Sequence, residues 1–332
     1  MAGAGIVTSA VAGNEELIAA ARAGDERAFV ELTSPHRPAL HVHCYRLLGS
    51  LHDADDAMQE ALLRAWKGIG RYEPRAPVGA WLYRIATNVC LRMLERRARD
   101  HAISVDAHLE PYPGPVAPAT SEPAACAESD EAVGLAFIAA MQLLGPKQRV
   151  VLVLRDVLDW SAREVAELLD DSEAAVNSAL QRARARMATE HGEGSLARAH
   201  RPASPDVEAL VMQRFQEAWK AVDIGGILAL LAADALLTMP PEGMRFEGAD
   251  AIAKFFATVP LDGRLDRIRL VPRRANGQPA LAAYAERRQG GAYEAYGVMV
   301  FAMDGERIAG ITGFPRQPAL FARLGLPAEM TE

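Results

Sequence analysis

Cysteine is scarce in this chain. Cys44, Cys90 and Cys126 are the three among 332 residues, and no CxxC pair brings two of them together. That excludes a disulfide framework and points to a reducing compartment. Long apolar runs are missing as well. The longest uncharged stretch, Ala132 to Pro146, falls short of the ~20 residues that a bilayer crossing needs, so it reads as a buried helix. Residues 1–13 are small and apolar but lack a basic n-region. They read as a flexible N-terminus rather than a secretory leader, and a cytoplasmic protein is expected. Lys and Arg are absent from 101–130, where Asp106, Glu110, Glu122, Glu128 and Asp130 accompany five prolines. That composition makes an acidic, extended linker. No His follows His200, which removes the commonest acid–base group from the C-terminal third. His41-Val42-His43-Cys44 offers too few ligands for a metal site, because neighbours on a helix point apart. No metal or cofactor is expected, and no internal repeat is visible.

What is present is a contrast. The net charge is −7 and half the residues are hydrophobic, enough for two or three packed domains. The acidic total argues against nucleic-acid binding, but a local patch decides such contact. Basic residues concentrate at 84–99 and 182–186. Between 53 and 97 an acidic helix, Asp53-Ala54-Asp55-Asp56-Ala57-Met58-Gln59-Glu60, precedes a Pro/Gly loop at 71–79 and a second helix from Ala80 to about Arg97. Asp53 is expected to open the first helix, where acids suit the dipole. Asp56, Gln59 and Glu60 share one face, suited to a basic protein surface; a solvated face is the plain alternative. In the second helix Arg84, Asn88, Arg92 and Arg96 are spaced four apart as a basic stripe beside Ile85, Val89 and Met93. Trp81 and Tyr83 stand at its start, where unpaired bases stack on aromatic rings; core packing is the plainer role for Trp66 and Trp81.

Residues 131–190 are expected to be helical. Ser161-Ala162-Arg163-Glu164 is a capping box that opens a short helix, Ala162 to Leu169. Asp170-Asp171 makes the turn and Ser172 caps the next helix. There Val176, Leu180, Ala183 and Met187 form an apolar stripe, and Glu173, Asn177, Ser178, Gln181, Arg182 and Arg184 face outward. This is the pattern of a helix-turn-helix, in which Asn and Gln bond adenine edges and Arg reads guanine or phosphate. Gly is usual where Asp170 or Asp171 stands, which leaves the turn geometry open. An ordinary helical hairpin is the competing reading. A second linker is expected at 191–205. Helices over 207–232 then precede strands at Ala235–Met239, Arg267–Val271, Leu281–Glu286, Gly297–Met303 and Arg307–Thr312, read as antiparallel.

Taken together, these segments resemble a sigma factor of the extracytoplasmic-function (ECF) branch of the sigma-70 superfamily. The resemblance rests on Asp55-Asp56-x-x-Gln59-Glu60…Arg64-Ala65-Trp66, on Trp81-Leu82-Tyr83-Arg84-Ile85-Ala86-Thr87-Asn88, on Leu144-Gly145-Pro146-Lys147-Gln148-Arg149 and on the helix-turn-helix. It implies two all-α domains, region 2 at 14–100 and region 4 at 131–190. It further implies that Asp55, Asp56, Gln59 and Glu60 bind core RNA polymerase, that Trp81, Arg84, Asn88, Arg92 and Arg96 engage the −10 element, and that Ser172, Glu173, Asn177, Ser178, Gln181, Arg182 and Arg184 meet the −35 element. The linker resembles those of ECF members with a fused C-terminal domain, through Leu109-Glu110-Pro111-Tyr112-Pro113. Its acidity suits either a basic channel built for nucleic acid or a contact with that domain.

Residues 206–325 resemble a SnoaL-like domain, an α+β cone, through Phe215-Gln216-Glu217-Ala218-Trp219, Leu230-Leu231-Ala232-Ala233-Asp234-Ala235, Met239-Pro240-Pro241 and Gly248-Ala249-Asp250-Ala251-Ile252. That fold hosts cyclases, isomerases and binders, so it does not settle function. Tyr284, Glu286, Tyr293, Glu294 and Tyr296 are the residues within reach of its cavity. Regulation of the sigma domains, with or without a small apolar ligand, is favoured over catalysis, and no anti-sigma partner is then obligatory. The expected function is promoter-specific initiation by a non-enzyme. A ligand-responsive helix-turn-helix regulator and a SnoaL-type cyclase or isomerase joined to DNA-binding helices are the alternatives.

Overall fold

In the computed structural model the described residues are 14–73, 76–99, 109–113, 134–198, 203–240, 243–287 and 291–331. The expected N-terminal segment 1–13, most of the acidic linker and Cys126 lie outside them. The described residues fall into two compact units. One holds residues up to 99 with Gly145–Gln181; the other holds 109–113, 134–144 and Arg182 onward.

The first unit is all helical. Residues 14–22 (α1), Glu26–Thr33 (α2), Arg37–Leu48 (α3), Leu51–Gly68 (α4) and Val78–Arg99 (α5) form its first part. Asp25 caps α2 by accepting from the Arg27 and Ala28 amides. Gly49 ends α3 in the left-handed conformation, φ 75°, which a residue without Cβ adopts at no cost. Asp53 does not open α4 as expected. Ser50 caps it, accepting from the Asp53 amide at 3.3 Å, because a hydroxyl three residues before the acids reaches the first free N–H groups. Asp53 pairs with Arg97 instead. Ala54, Ala57, Ala61 and Ala65 are buried along α4, and these small side chains let α3 and α5 approach closely. Pro146–Leu152 (α7), a π-helical turn at Val153–Val157, Ala162–Leu169 (α8) and the first part of Glu173–Arg198 (α9), as far as Gln181, complete the set.

Helix α9 runs through much of the expected linker at 191–205. Gly192 and Gly194 each weaken a helix by about 1 kcal/mol, but no proline precedes Pro202 to end it. The helix that begins the 131–190 segment, Leu135–Met141 (α6), belongs to the second unit.

The second unit carries Pro205–Lys220 (α10), Ile224–Leu230 (α11), Ala249–Thr258 (α12) and Pro318–Arg323 (α13). Its strands are Leu231–Met239 (β1), Met244–Glu247 (β2), Ile268–Ala275 (β3), Gln278–Glu286 (β4), Ala292–Asp304 (β5), Arg307–Pro315 (β6) and Glu329–Thr331 (β7). The order is β2-β1-β6-β5-β4-β3, with β7 on β5. The sheet is mixed rather than antiparallel, because β1 and β6 run parallel, Leu237 opposite Ile311. The connection between them is long enough to return the chain in the same sense. Phe215, Trp219, Phe256 and Phe301 fill the core, with ring centres 5.1–6.2 Å apart. Trp219 Nε1 donates to Ile268 O at 3.3 Å. Gly297 is required on β5, since a Cβ there would meet Phe314 O at 2.9 Å.

Candidate nucleic-acid and protein interface

Helix α4 divides its acids among different partners. Asp56 and Gln59 are exposed. Glu60 is half-buried and accepts from Arg64 Nε at 2.6 Å. Asp55 turns toward α3, where His41 Nε2 lies 3.0 Å away. Asp55 therefore stands apart from the face of Asp56, Gln59 and Glu60. Leu63, 54% exposed, lies a turn beyond Gln59 on the polar face. The spacing Asp56, Gln59, Leu63 was its signal in the sequence, and it was not singled out.

Helix α5 presents Arg84, Arg92 and Arg96 exposed and Asn88 half-exposed. The stripe is not wholly independent of the rest. Arg84 donates to Glu167 O on α8 at 3.3 Å. Arg92, Arg96 and Arg99, with Glu95, Val89 and Met93, form the α5 side of an open groove of about 600 Å³. Asp56, Glu60 and Arg64 of α4 line the other wall. The acidic and basic surfaces, read from sequence as separate, thus face each other. Trp81 is half-buried, its ring 4.9 Å from that of Tyr72. Tyr72 donates its hydroxyl to Ala76 O at 2.6 Å, and burial pushes its phenol pKa up against the lowering by Arg22. Tyr83 is buried, 5.0 Å from the His43 ring, so it offers no face to a base. Trp66 packs edge-on against Phe29 at 5.1 Å.

The helix-turn-helix forms as its capping signals predict. Ser161 accepts from the Glu164 amide at 3.2 Å while Glu164 accepts from the Ser161 amide at 2.7 Å. The Ser161 hydroxyl, which donates to Glu164 Oε2 at 2.6 Å, and then the Ser161 amide hold the Glu164 carboxyl below the usual range. Asp170 takes the left-handed position itself, φ 52°, a conformation that short polar side chains tolerate better than most. Asp171 pairs with Lys147 and accepts from the Ser172 amide, which lowers its pKa. Ser172 then accepts from the Ala175 amide. Val176, Leu180, Ala183 and Met187 are buried, while Ser172, Glu173, Asn177, Gln181, Arg182 and Arg184 are exposed and Ser178 is half-exposed. Arg149 of α7 is buried and donates to Leu47 O, at the C-terminal end of α3, at 3.0 Å. Sequence reasoning missed it; its only signal was the Leu144–Arg149 motif.

In the second unit the five candidate cavity residues scatter. Tyr284 is buried, donates to Pro327 O at 2.8 Å and packs on Phe321. Glu286 pairs with Arg267 at 3.0 Å and Glu294 with Arg287 at 3.3 Å. Tyr293 lies under Arg269, 4.2 Å from its ring centre. Tyr296 alone of the five packs against the aromatic core. Among the described residues no group of three or more His, Cys, Asp or Glu is placed to hold a metal ion, and no helix is long and apolar enough to cross a membrane.

Three family models match the chain in order: Sigma-70 region 2 over residues 32–100, Sigma-70 region 4 over 134–187 and a SnoaL-like domain over 212–311. The ECF RNA polymerase sigma factor SigG of Mycobacterium tuberculosis is 39% identical over 328 residues, spanning 92% of this chain and 85% of the relative. SigM of the same organism is 36% identical over 174 residues, 52% of this chain and 82% of that protein. The crystal structure of the Mycobacterium tuberculosis ECF sigma factor SigJ superposes with a TM-score of 0.60 at 23% identity, over 90% of this chain and 99% of that one. This last likeness shows the shared fold: helical domains followed by a mixed-sheet, SnoaL-like domain.

Proposed function

The chain belongs to the ECF family of RNA polymerase sigma factors, and on that premise we propose that it binds core polymerase and directs initiation at promoters carrying −10 and −35 elements. Residues 14–100 act as region 2. The open face of α4, Asp56, Gln59 and Leu63, meets the polymerase together with Glu60. Asp55 supports that face from its place beside His41. Arg84, Asn88, Arg92 and Arg96 follow the −10 strand, with Trp81 at its edge. Region 4 reads the −35 element through Ser172, Glu173, Asn177, Ser178, Gln181, Arg182 and Arg184. The C-terminal domain tunes these activities. The protein works without turnover of its own, in the cytoplasm with the polymerase it serves, and a small apolar ligand in the C-terminal domain is a further candidate partner.

The observation that carries this reading is the shared α4–α5 groove. Asp56 and Glu60 stand across from Arg92 and Arg96 and compensate their charge, so the free protein attracts DNA weakly. A polymerase surface that engages the acids releases the bases for promoter DNA. A conventional DNA-binding regulator has no use for that coupling.

Run-off transcription with purified core polymerase tests the proposal. The full chain is expected to start transcripts with core and to bind promoter DNA weakly without it. Asp56→Lys combined with Glu60→Lys should weaken core binding about tenfold, near 1.4 kcal/mol, with an unchanged circular dichroism spectrum. Undiminished pull-down by the double variant would count against the α4 assignment.

A further inference from the structure

Strands β3 and β4 turn at Asn276-Gly277, both at positive φ, 54° and 70°. This is the mirror-image two-residue turn that Asn-Gly favours. The turn holds two segments distant in sequence. Tyr112 of the acidic linker donates its amide to Asn276 Oδ1 at 2.8 Å, and the Asn276 amide donates back to Tyr112 O at 2.9 Å. Pro113 bridges to Ala275. Leu109, Pro111 and Asn276 are buried. Two residues on, Gln278 Oε1 accepts from the Leu135 amide at the start of α6 at 2.8 Å, while Gln278 Nε2 donates to Phe301 O at 3.4 Å. A Cβ at Gly134 would stand 3.3 Å from that Oε1, so the glycine admits the close approach. Arg274 donates to Gly277 O and pairs with Glu208 of α10 at 2.8 Å. The turn is thereby fastened to its own domain.

We propose that Asn276 and Gln278 are positioning residues for promoter recognition: they fasten the chain between the −10 and −35 readers at two points on one turn, and so set the element spacing that the protein accepts. This rests on the sigma-factor reading above. Left free, residues 100–145 would reach ~160 Å when extended. With Tyr112 and Leu135 on the same turn, the chain between them adds no reach. Residues 100–111 and 136–145 then span at most ~75 Å together. Each base pair added between two elements moves them 3.4 Å apart along the duplex. A short tether therefore penalises spacings that a long one would tolerate.

The experiment uses full-length protein with core polymerase, on templates selected from a random-sequence DNA library by the wild-type holoenzyme. The spacing between elements is then changed by two base pairs in either direction. Asn276→Gly keeps the positive φ but loses the side-chain acceptor. Gln278→Ala frees α6. Tyr112→Pro removes the linker's donor and leaves the C-terminal domain untouched, so it serves if the other variants fold poorly. Amide exchange should rise about fivefold at Tyr112 in Asn276→Gly and at Leu135 in Gln278→Ala, as expected for one lost hydrogen bond. The penalty for altered spacing should fall about fivefold as the tether lengthens, with the preferred element sequences unchanged. Unchanged exchange would remove the two-point fastening. Faster exchange with the same spacing profile would overturn the positional role, and so would an equal rise at every spacing, which marks a brake. If the wild-type holoenzyme starts no transcript from any template, the sigma-factor reading itself fails.

Discussion

The two units bury different chemistry. Among the described residues the helical unit encloses His43, Arg46, Thr87 and Arg149, while the sheet unit's core is aromatic and aliphatic, with Asn276 and Gln142 as its buried polar side chains. His43 is fully buried, its Nε2 2.8 Å from Thr87 Oγ1. Thr87 Oγ1 donates to Tyr83 O, so the imidazole must be the donor to Thr87. Arg149 brings a guanidinium to the C-terminal end of α3, where the helix dipole favours a cation. A core of this kind holds only while each polar group keeps its partner and protonation state. Among the described residues the aromatic core holds no titratable group of this kind, and its Trp219 Nε1 donates to Ile268 O. The helical unit is thus the one whose packing depends on buried polar groups such as His43 and Arg149.

The comparison breaks most visibly in the aromatic core. Phe301→Ala should cost the sheet unit about 3–5 kcal/mol. Chemical denaturation of the full chain, followed by hydrogen exchange, should place that loss in 203–331 and leave α3–α5 protection unchanged. A uniform loss would mean that the two units unfold as one.

The next largest effect is a dependence on pH. Burial, reinforced by Arg46, lowers the His43 pKa from 6.5 to about 3. The native state keeps the imidazole neutral while the unfolded chain protonates it below 6.5. Stability from this group is therefore complete above pH 6.5 and declines as pH falls toward 3, by at most about 1.4 kcal/mol per pH unit. Denaturation midpoints measured between pH 7.5 and 4.5 should show the decline in α3–α5. His43→Gln keeps a donor for Thr87 and should flatten it.

The smallest effect sharpens the contrast within the helical unit. Ser161→Ala removes one side of the capping box and should cost about 1 kcal/mol. Exchange should quicken at the first amides of α8, and the −35 contribution to transcription should drop modestly while −10 preference stays. Loss of both preferences would show that α8 supports more than the helix-turn-helix.

Much of the helical unit was legible because its signals are local. Asp25, Gly49, Ser161 and Ser172 act within a few residues of themselves, and the Val176–Met187 stripe announces its buried face. Errors arose where two local signals competed. Ser50 and Asp53 both suit a helix start, and the earlier hydroxyl won. The sheet unit was read less well. Strands β2 and β7 are too short to show alternation, and Leu231-Ala232-Ala233 has a helix-like composition, so β1 was begun too late. The parallel pairing of β1 with β6 has no local mark. In the site, the stripe from Arg84 to Arg96 was visible as a period of four, but its engagement with Glu167 and its position opposite Asp56 were not.

Periodicity, caps and charge runs along the chain determined by themselves which segments become helices, which faces carry bases or acids, and that the chain resembles an ECF sigma factor with a fused α+β domain. Such features depend on neighbours within one or two helical turns. Only the tertiary structure decided that acids and bases share a groove, that Arg149 serves α3, and that one Asn-Gly turn holds both Tyr112 and Leu135. The last two join residues 102 to 164 positions apart, a separation at which packing of the whole fold chooses the partners.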